Sequence, residues 1–489
     1  MRWSGFLARG ASALAVALLL QACGGSAPSE PSRSEDPGAA RASALESEDL
    51  GERLRAVPGL TVQQDVWLSD ITKDTRFFIL DYEQPTDHQH PGGERFRQRM
   101  TLLYRYKPGP TPVVLNTLGY GLTPTPAQSE PTRLLTAHEL RVEHRFFGTS
   151  RPASLDWKRL TIEQAAADHH RIVQALRPLL GDGRWLSTGN SKGGQAATYH
   201  RYFYPDDVEA TVAYVTPNVR GETDVRAVRF LETVGTDEGC RERLKSIQRA
   251  ALTRREELLP LAAGVAASTG ATFDVLGLDR ALEFSVLELP YYFWQVGGQT
   301  LCPTIPAPGA PASALFDFIQ RHTYFTDSFG DAGLQSLAPY YYQAATQIGA
   351  LRYAEHHLHG LLRYPRQDLP ANLPPLGVQK RFDVTAMPRV GHWVRNSGRR
   401  MLFLYGEDDP WFSVPFEVRE SNDSLRFVVP RGNHGARLAQ LPEPERTSAL
   451  EHLFQWAGLD PSAAREGLRV PEADTWSWED SLEPAHRPL

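Results

Sequence analysis

The stretch that decides the reading is Trp185-Leu186-Ser187-Thr188-Gly189-Asn190-Ser191-Lys192-Gly193-Gly194, followed by Gln195 to Tyr204. A short apolar run, a glycine-bracketed serine and a helix-like stretch predict strand, sharp turn and helix. Small residues two before and two after the serine let neighbouring backbone come close, so a strained turn can lift the hydroxyl out of a sheet. Gly-x-Ser-x-Gly on its own recurs by chance in glycine-rich chains. The strand before it and the helix after it make it a nucleophile elbow with Ser191 at the tip.

A free serine hydroxyl is a poor nucleophile at neutral pH and needs a base held by a carboxylate. In an α/β-hydrolase the chain order is Ser, then Asp or Glu, then His. The apolar run Arg400 to Tyr405 leads into Gly406-Glu407-Asp408-Asp409-Pro410-Trp411, and Leu425 to Val429 leads into Pro430-Arg431-Gly432-Asn433-His434-Gly435. An acid and then a histidine therefore follow Ser191, each just beyond an expected strand. An Asp-Pro turn is the competing account of the acid. Between the two aspartates we prefer Asp409, because Pro410 restricts the residue before it and limits where that side chain points. Asp408 stays open as the alternative.

These blocks resemble the bacterial secreted tripeptidyl aminopeptidases, the prolyl tri/tetrapeptidyl aminopeptidase group of serine peptidases. Beyond Ser191, Asp409 and His434, Glu143-His144-Arg145-Phe146-Phe147-Gly148-Thr149-Ser150 is similar to a block of the related prolylcarboxypeptidase and dipeptidyl peptidase group. So are Pro85-Thr86-Asp87-His88, Phe96 to Arg99, Phe293-Trp294-Gln295 and Pro339 to Gln343. The resemblance spans roughly Leu60 to Trp456. It implies an exopeptidase of peptide N-termini, with proline before the cut as one option, and peptides as substrates.

The 489 residues are 41% hydrophobic and 22% charged, ordinary for a globular protein with one large domain plus an insertion, or two domains. A net charge of -6 and the lack of a basic run argue against a nucleic-acid partner. At the amino end, Arg2 and Arg9 precede an apolar stretch, Ala11 to Leu20, too short for a comfortable membrane span, and then Gln21-Ala22-Cys23-Gly24. This reads as a bacterial lipoprotein signal over residues 1–22, with Cys23 acylated and anchored to a membrane of the cell envelope. Ordinary secretion is the alternative. Residues 23–50, rich in Ser, Pro, Ala, Glu and Gly, read as a flexible tether. The remaining cysteines, Cys240 and Cys302, are expected to form a disulfide in an exported chain.

The α/β-hydrolase core is expected in two parts, residues 51–220 and 396–460, with a large helical cap inserted over 221–395 and a tail at 461–489 without readable pattern. Within the first part, Thr75 to Asp81, Arg99 to Tyr106, Val113 to Thr117 and Val208 to Val215 read as strands and Ile162 to Leu180 as a helix. Ala165, His169, Ile172 and Leu176 share one face of it, so His169 is a packed core histidine. Glu242 to Leu259 and Gly333 to Ala354 read as cap helices, and Thr447 to Gly458 as the closing one.

The oxyanion is expected to meet the backbone N–H of Lys192 and a second donor from Leu118-Gly119-Tyr120-Gly121, with Gly119 and Tyr120 as candidates. An enzyme counting from a free amine needs a carboxylate at a fixed distance from the serine. Glu143, Glu283 and Glu288 are the candidates, each with a plain ion-pair role as the competing account. Trp294 and Trp411 are the aromatic candidates for substrate contact. Glu355-His356-His357-Leu358-His359 lacks the spacing of a metal site and reads as a solvated helix face, so neither a metal nor another cofactor is expected. An esterase on the same fold, and a non-catalytic surface lipoprotein, are the alternatives from other classes.

Overall fold

The computed structural model describes residues 49–68 and 74–463. The expected signal segment, Cys23, nearly all of the tether and the tail from residue 464 onward lie outside them. At the centre is a nine-stranded sheet. Its strands are β1 (Leu60–Trp67), β2 (Thr75–Pro85), β3 (Arg95–Arg105), β4 (Val113–Thr117), β5 (His138–Val142), β6 (Trp185–Asn190), β7 (Ala210–Tyr214), β10 (Met401–Gly406) and β11 (Leu425–Val429). Two short strands, β8 (Thr223–Asp224) and β9 (Ala350–Leu351), pair with each other inside the insertion. The order across the large sheet is β1-β2-β3-β5-β4-β6-β7-β10-β11. From β1 to β5 neighbours run antiparallel, and from β5 to β11 they run parallel.

Strands of the parallel part are apolar without alternation because both faces are covered. Met401, Phe403 and Tyr405 of β10 face helices Ile162–Leu176, Lys192–Phe203 and Ala386–Asn396, through Ala165, Ala196, Tyr199, Met387 and Val390. Leu402 and Leu404 point to the other face, against Leu450 and Leu453 of the helix Glu445–Trp456. With the parallel strands side by side, their carboxyl ends form one edge, where open α/β sheets bind ligands. The mixed sheet flanked by helices is an α/β-hydrolase core, and the segment between β7 and β10 carries the helical cap.

The cap has its own core, built from helices Glu238–Thr253, Arg255–Thr269, Leu278–Val296 and Ala312–Thr323 around Leu244, Leu258, Phe284, Phe293, Leu315 and Phe316. Cys240 and Cys302 are joined in a disulfide, with Cα atoms 5.4 Å apart. Where one helix was expected from Gly333 to Ala354, the chain instead forms Asp331–Ser336, Ala338–Gln343, a π turn at Ala344–Ile348 and β9. Pro339 cannot donate to the turn before it, and Gly349, at φ 71°, ends the run. The stretch from Glu355 to His359 is a short 3-10 turn, His356–Leu358, in place of a solvated helix face. There His357 Nε2 lies 2.8 Å from Gln248 Oε1. No helix among the described residues is long and apolar enough to cross a membrane.

His169 is fully enclosed in the helix Ile162–Leu176, as the periodicity indicates, yet neither ring nitrogen has a hydrogen-bond partner. Burial, and secondly the neighbouring His200, hold its pKa near 3, against 6.5 for the exposed group. The folded state thus resists a proton that the unfolded state accepts. Titration adds no cost above pH 6.5, and its penalty grows as pH falls from about 6.5 towards 3. His169→Leu removes both the unpaired nitrogens and the titration. Thermal melts should show it about 1–3 kcal/mol more stable, with the gain larger at pH 5 than at pH 8.

Candidate active site

Ser191 stands at the carboxyl end of β6 with φ 53° and ψ -121°, a strained pair of angles for a residue with a side chain. Its N–H donates to Tyr214 O of β7 at 2.9 Å. The turn closes because the flanking glycines have no side chains. A Cβ on Gly189 would lie 2.3 Å from the carbonyl of Gly193, one on Gly193 2.6 Å from Thr117 O, and one on Gly194 1.8 Å from Thr216 Oγ1. Thr117 Oγ1 donates to Gly193 O at 2.9 Å and ties the elbow to the end of β4.

The loop after β4 packs on the elbow. A Cβ on Gly119 would approach Gly193 N to 2.6 Å. Lys192, though charged, is buried. Its Nζ donates to Gly119 O at 2.6 Å and lies 5.0 Å and 5.4 Å from the centres of the Phe147 and Tyr120 rings. The ammonium thereby fixes the Gly119–Tyr120 peptide plane beside the residue that follows the serine.

Asp409 follows β10 and is fully buried, and its Oδ2 lies 2.7 Å from His434 Nδ1. A carboxylate only accepts, so Nδ1 carries the proton and Nε2 is left as the basic nitrogen. Asp409 Oδ1 accepts from Trp411 N at 3.2 Å, which locks the carboxylate at the head of the turn Pro410–Ser413. Asp408 points elsewhere, to Arg431 Nη1 at 3.1 Å. Burial raises the Asp408 pKa, partly offset by Arg431.

The cap reaches down to the histidine loop. His434 N donates to Gln295 O at 3.0 Å, and Asn433 Nδ2 donates to Val296 O. Both carbonyls belong to the last turn of the cap helix Leu278–Val296, where carbonyls lack partners within the helix. One face of that helix, Phe284, Glu288, Tyr291, Tyr292 and Gln295, lines a cavity that also takes in Ser191, Trp411 and His434.

The sequence model of the PS-10 peptidase S37 family matches residues 43–474. The chain is also 41% identical over 461 residues to the prolyl tri/tetrapeptidyl aminopeptidase of Streptomyces mobaraensis, covering 93% of each chain. It belongs to the PS-10 peptidase S37 family. Among solved structures, the serine hydrolase CarC of carbazole degradation is 15% identical, covering 76% of this chain and 98% of that one at a TM-score of 0.30. Epoxide hydrolase A from Mycobacterium thermoresistibile is 14% identical, with 77% and 98% covered and a TM-score of 0.33. Likenesses this distant carry no argument about chemistry.

In this S37 serine peptidase, Ser191, His434, Glu288 and Trp411 share one cavity, but the other substrate candidates do not line it. Glu143 has no capacity left for an amine. Its Oε1 accepts from Leu122 N at 2.8 Å, and its Oε2 accepts from Ser150 N at 2.9 Å, Ser150 Oγ at 2.6 Å and Thr149 N at 3.0 Å. It braces the loop that begins at Gly119. Glu283 is buried in the cap and holds Arg255, Arg363 N at 2.8 Å and Tyr364 N at 2.7 Å. Trp294 is enclosed in the cap core, on a different face of its helix from the cavity stripe, against Gly235 and Phe293. Sequence reading did not find Tyr353 and Asp368, which also line the cavity. Both lie in irregular chain where no periodicity marks a face. Among the described residues, one three-ligand cluster, Asp237, Cys240 and Cys302, could suggest a metal, but its sulfurs are bonded to each other.

The elbow geometry makes a graded prediction. Gly189→Ala drives a methyl into backbone and should lower stability by about 3 kcal/mol or more. Gly194→Ala meets chiefly the Thr216 side chain, so Thr216→Ala should partly restore it. Denaturant melts of the two glycine variants, each with and without Thr216→Ala, check this, and equal rescue of Gly189→Ala by Thr216→Ala would contradict it.

Proposed function

We propose that this chain is a serine exopeptidase that removes tri- or tetrapeptides from free peptide N-termini. The observation that carries this reading is the presence of Glu288 in one cavity with Ser191 and His434. An enzyme that measures from a charged amine needs an acid in the same cavity as its nucleophile, and Glu288 supplies one. The family membership and the name of the Streptomyces mobaraensis relative support it.

Ser191 attacks the scissile carbonyl, and His434 Nε2 takes the hydroxyl proton and returns it to the leaving amine. Asp409 holds the imidazole and stabilises its charged form. Water then releases the peptide from the acyl-enzyme. The N–H of Lys192 and the Gly119–Tyr120 loop stabilise the oxyanion, each donor contributing about 2.7–4 kcal/mol. Tyr291, Tyr292, Tyr340, Tyr341 and Trp411 give the cavity faces on which a proline ring can stack. Export with a lipid anchor at Cys23 belongs to the same reading and is supported by the Cys240–Cys302 disulfide.

The test is digestion of a free-amine Ala-Ala-Pro-X peptide beside its N-acetylated twin. Release of short peptides from the free form alone, lost in Ser191→Ala, is the expected result. Asp409→Asn should lower kcat about 10⁴-fold, and Asp408→Asn should stay within a few-fold of wild type. Glu288→Gln should raise KM for the free-amine peptide and leave p-nitrophenyl acetate hydrolysis unchanged. Ester hydrolysis through Ser191 with neither peptide cut would replace the peptidase reading with an esterase. Metabolic labelling with a radioactive fatty acid tests the anchor, since Cys23→Ser should abolish incorporation.

A further inference from the structure

Asp368 lines the same cavity as Glu288 and is more than nine-tenths buried. Its Oδ2 receives no hydrogen bond from any described donor. The side chain in hydrogen-bonding contact with it is another carboxyl, that of Glu288. The acidic groups acting on Asp368 are Glu288 and, more weakly, Glu355, whose Oε1 accepts from Arg366 N at 2.8 Å. Tyr353 does not satisfy Asp368, because its hydroxyl proton goes to Glu288 Oε2 at 2.9 Å. Burial, and then Glu288 and Asp368, push the Tyr353 phenol well above its ordinary range, and the phenols of Tyr292 and Tyr340 also lie near it. The remaining polar side chains of the cavity are Ser191, His434, Gln295, Ser328 and Trp411, with the phenols of Tyr291 and Tyr341.

Two adjoining carboxyls, one of them buried, resist both being charged, so one proton is shared between them. Desolvation and Glu288 accordingly push the Asp368 pKa well above the usual carboxylate range. Asp368 Oδ2 still has no partner among the described residues, and a cation would give it one. We propose that Asp368 is the second carboxylate of the amine-binding site, sharing one proton with Glu288 in the free enzyme and losing it to solvent when a peptide ammonium docks between them. The proposal rests on the aminopeptidase reading. The exchange is balanced: one proton leaves the pair, one ammonium enters, and the site passes from one negative charge to two negative charges facing one positive charge. An acetylated N-terminus has one N–H and no charge, so it cannot displace the proton.

The experiment is calorimetric titration of Ser191→Ala enzyme with Ala-Ala-Pro amide, which lacks the carboxylate that would perturb His434. Runs in buffers of different ionisation enthalpy count the protons released. The expected result is net proton release on binding, with affinity rising up to about tenfold per pH unit across the window in which the pair ionises. In the Asp368→Asn variant of the same background, the amide donates to Glu288 in place of the shared proton. Release should vanish, affinity should become flat with pH across that window, and the free amine should still bind better than its acetylated twin. Unchanged release in that variant overturns the role of Asp368, as does absence of release in the parent, which does not depend on the variant folding. Equal binding of free and acetylated peptide by the parent is a different failure and overturns the amine site and the aminopeptidase reading together.

Discussion

Everything at this site depends on backbone touching backbone at the elbow. The turn at Ser191 costs strain, and the strain is held because β6, the elbow helix and the loop after β4 pack with no side chains between them at Gly189, Gly193 and Gly119. Close packing of main chain also brings Lys192 within reach of Gly119 O, so a buried ammonium finds a carbonyl and two aromatic faces where it would otherwise be costly. Glu143 extends the same bracing one layer outward. Its carboxylate collects the N–H groups of the loops on either side of Gly148, whose missing side chain leaves it room.

The cap is more than a roof over this edge. The end of its helix Leu278–Val296 supplies the carbonyls that hold the His434 loop, so its position and the position of the base are set together. The same helix presents Glu288 and the tyrosines to the cavity. On the proposed function, catalytic geometry and substrate recognition would meet in this one helix.

How much of this was legible in the sequence follows from how local each signal is. The elbow, Asp409 and His434 were readable because each combines an apolar strand with a glycine or proline at a fixed offset, and the structure places Asp409, with Asp408 turned to Arg431, against His434. Strand β5 was not readable, since its His138, Glu139 and Arg141 look like surface chain. They are buried with partners, among them Asn116 and the N–H of Ser129 for Glu139. Choosing among Glu143, Glu283 and Glu288 required the tertiary placement of three segments. All three glutamates are acids beside aromatics, and only the fold shows that two are already saturated. Asp368 lies in a proline-rich loop whose composition announces a break and hides a side chain that lines the cavity.

The stretch of helix from Glu288 to Gln295 has a metric consequence. Seven residues of α-helix rise about 10 Å, close to the length of three residues of extended peptide at about 3.3 Å each. One end of that stretch carries the acid assigned to the amine, and the other grips the loop bearing the base. On the proposed function, the helix would act as a measuring rod. The length of the peptide released would then be written in the pitch of a helix, and a single-residue insertion between Glu288 and Gln295 would rotate its face away before it lengthened the scale.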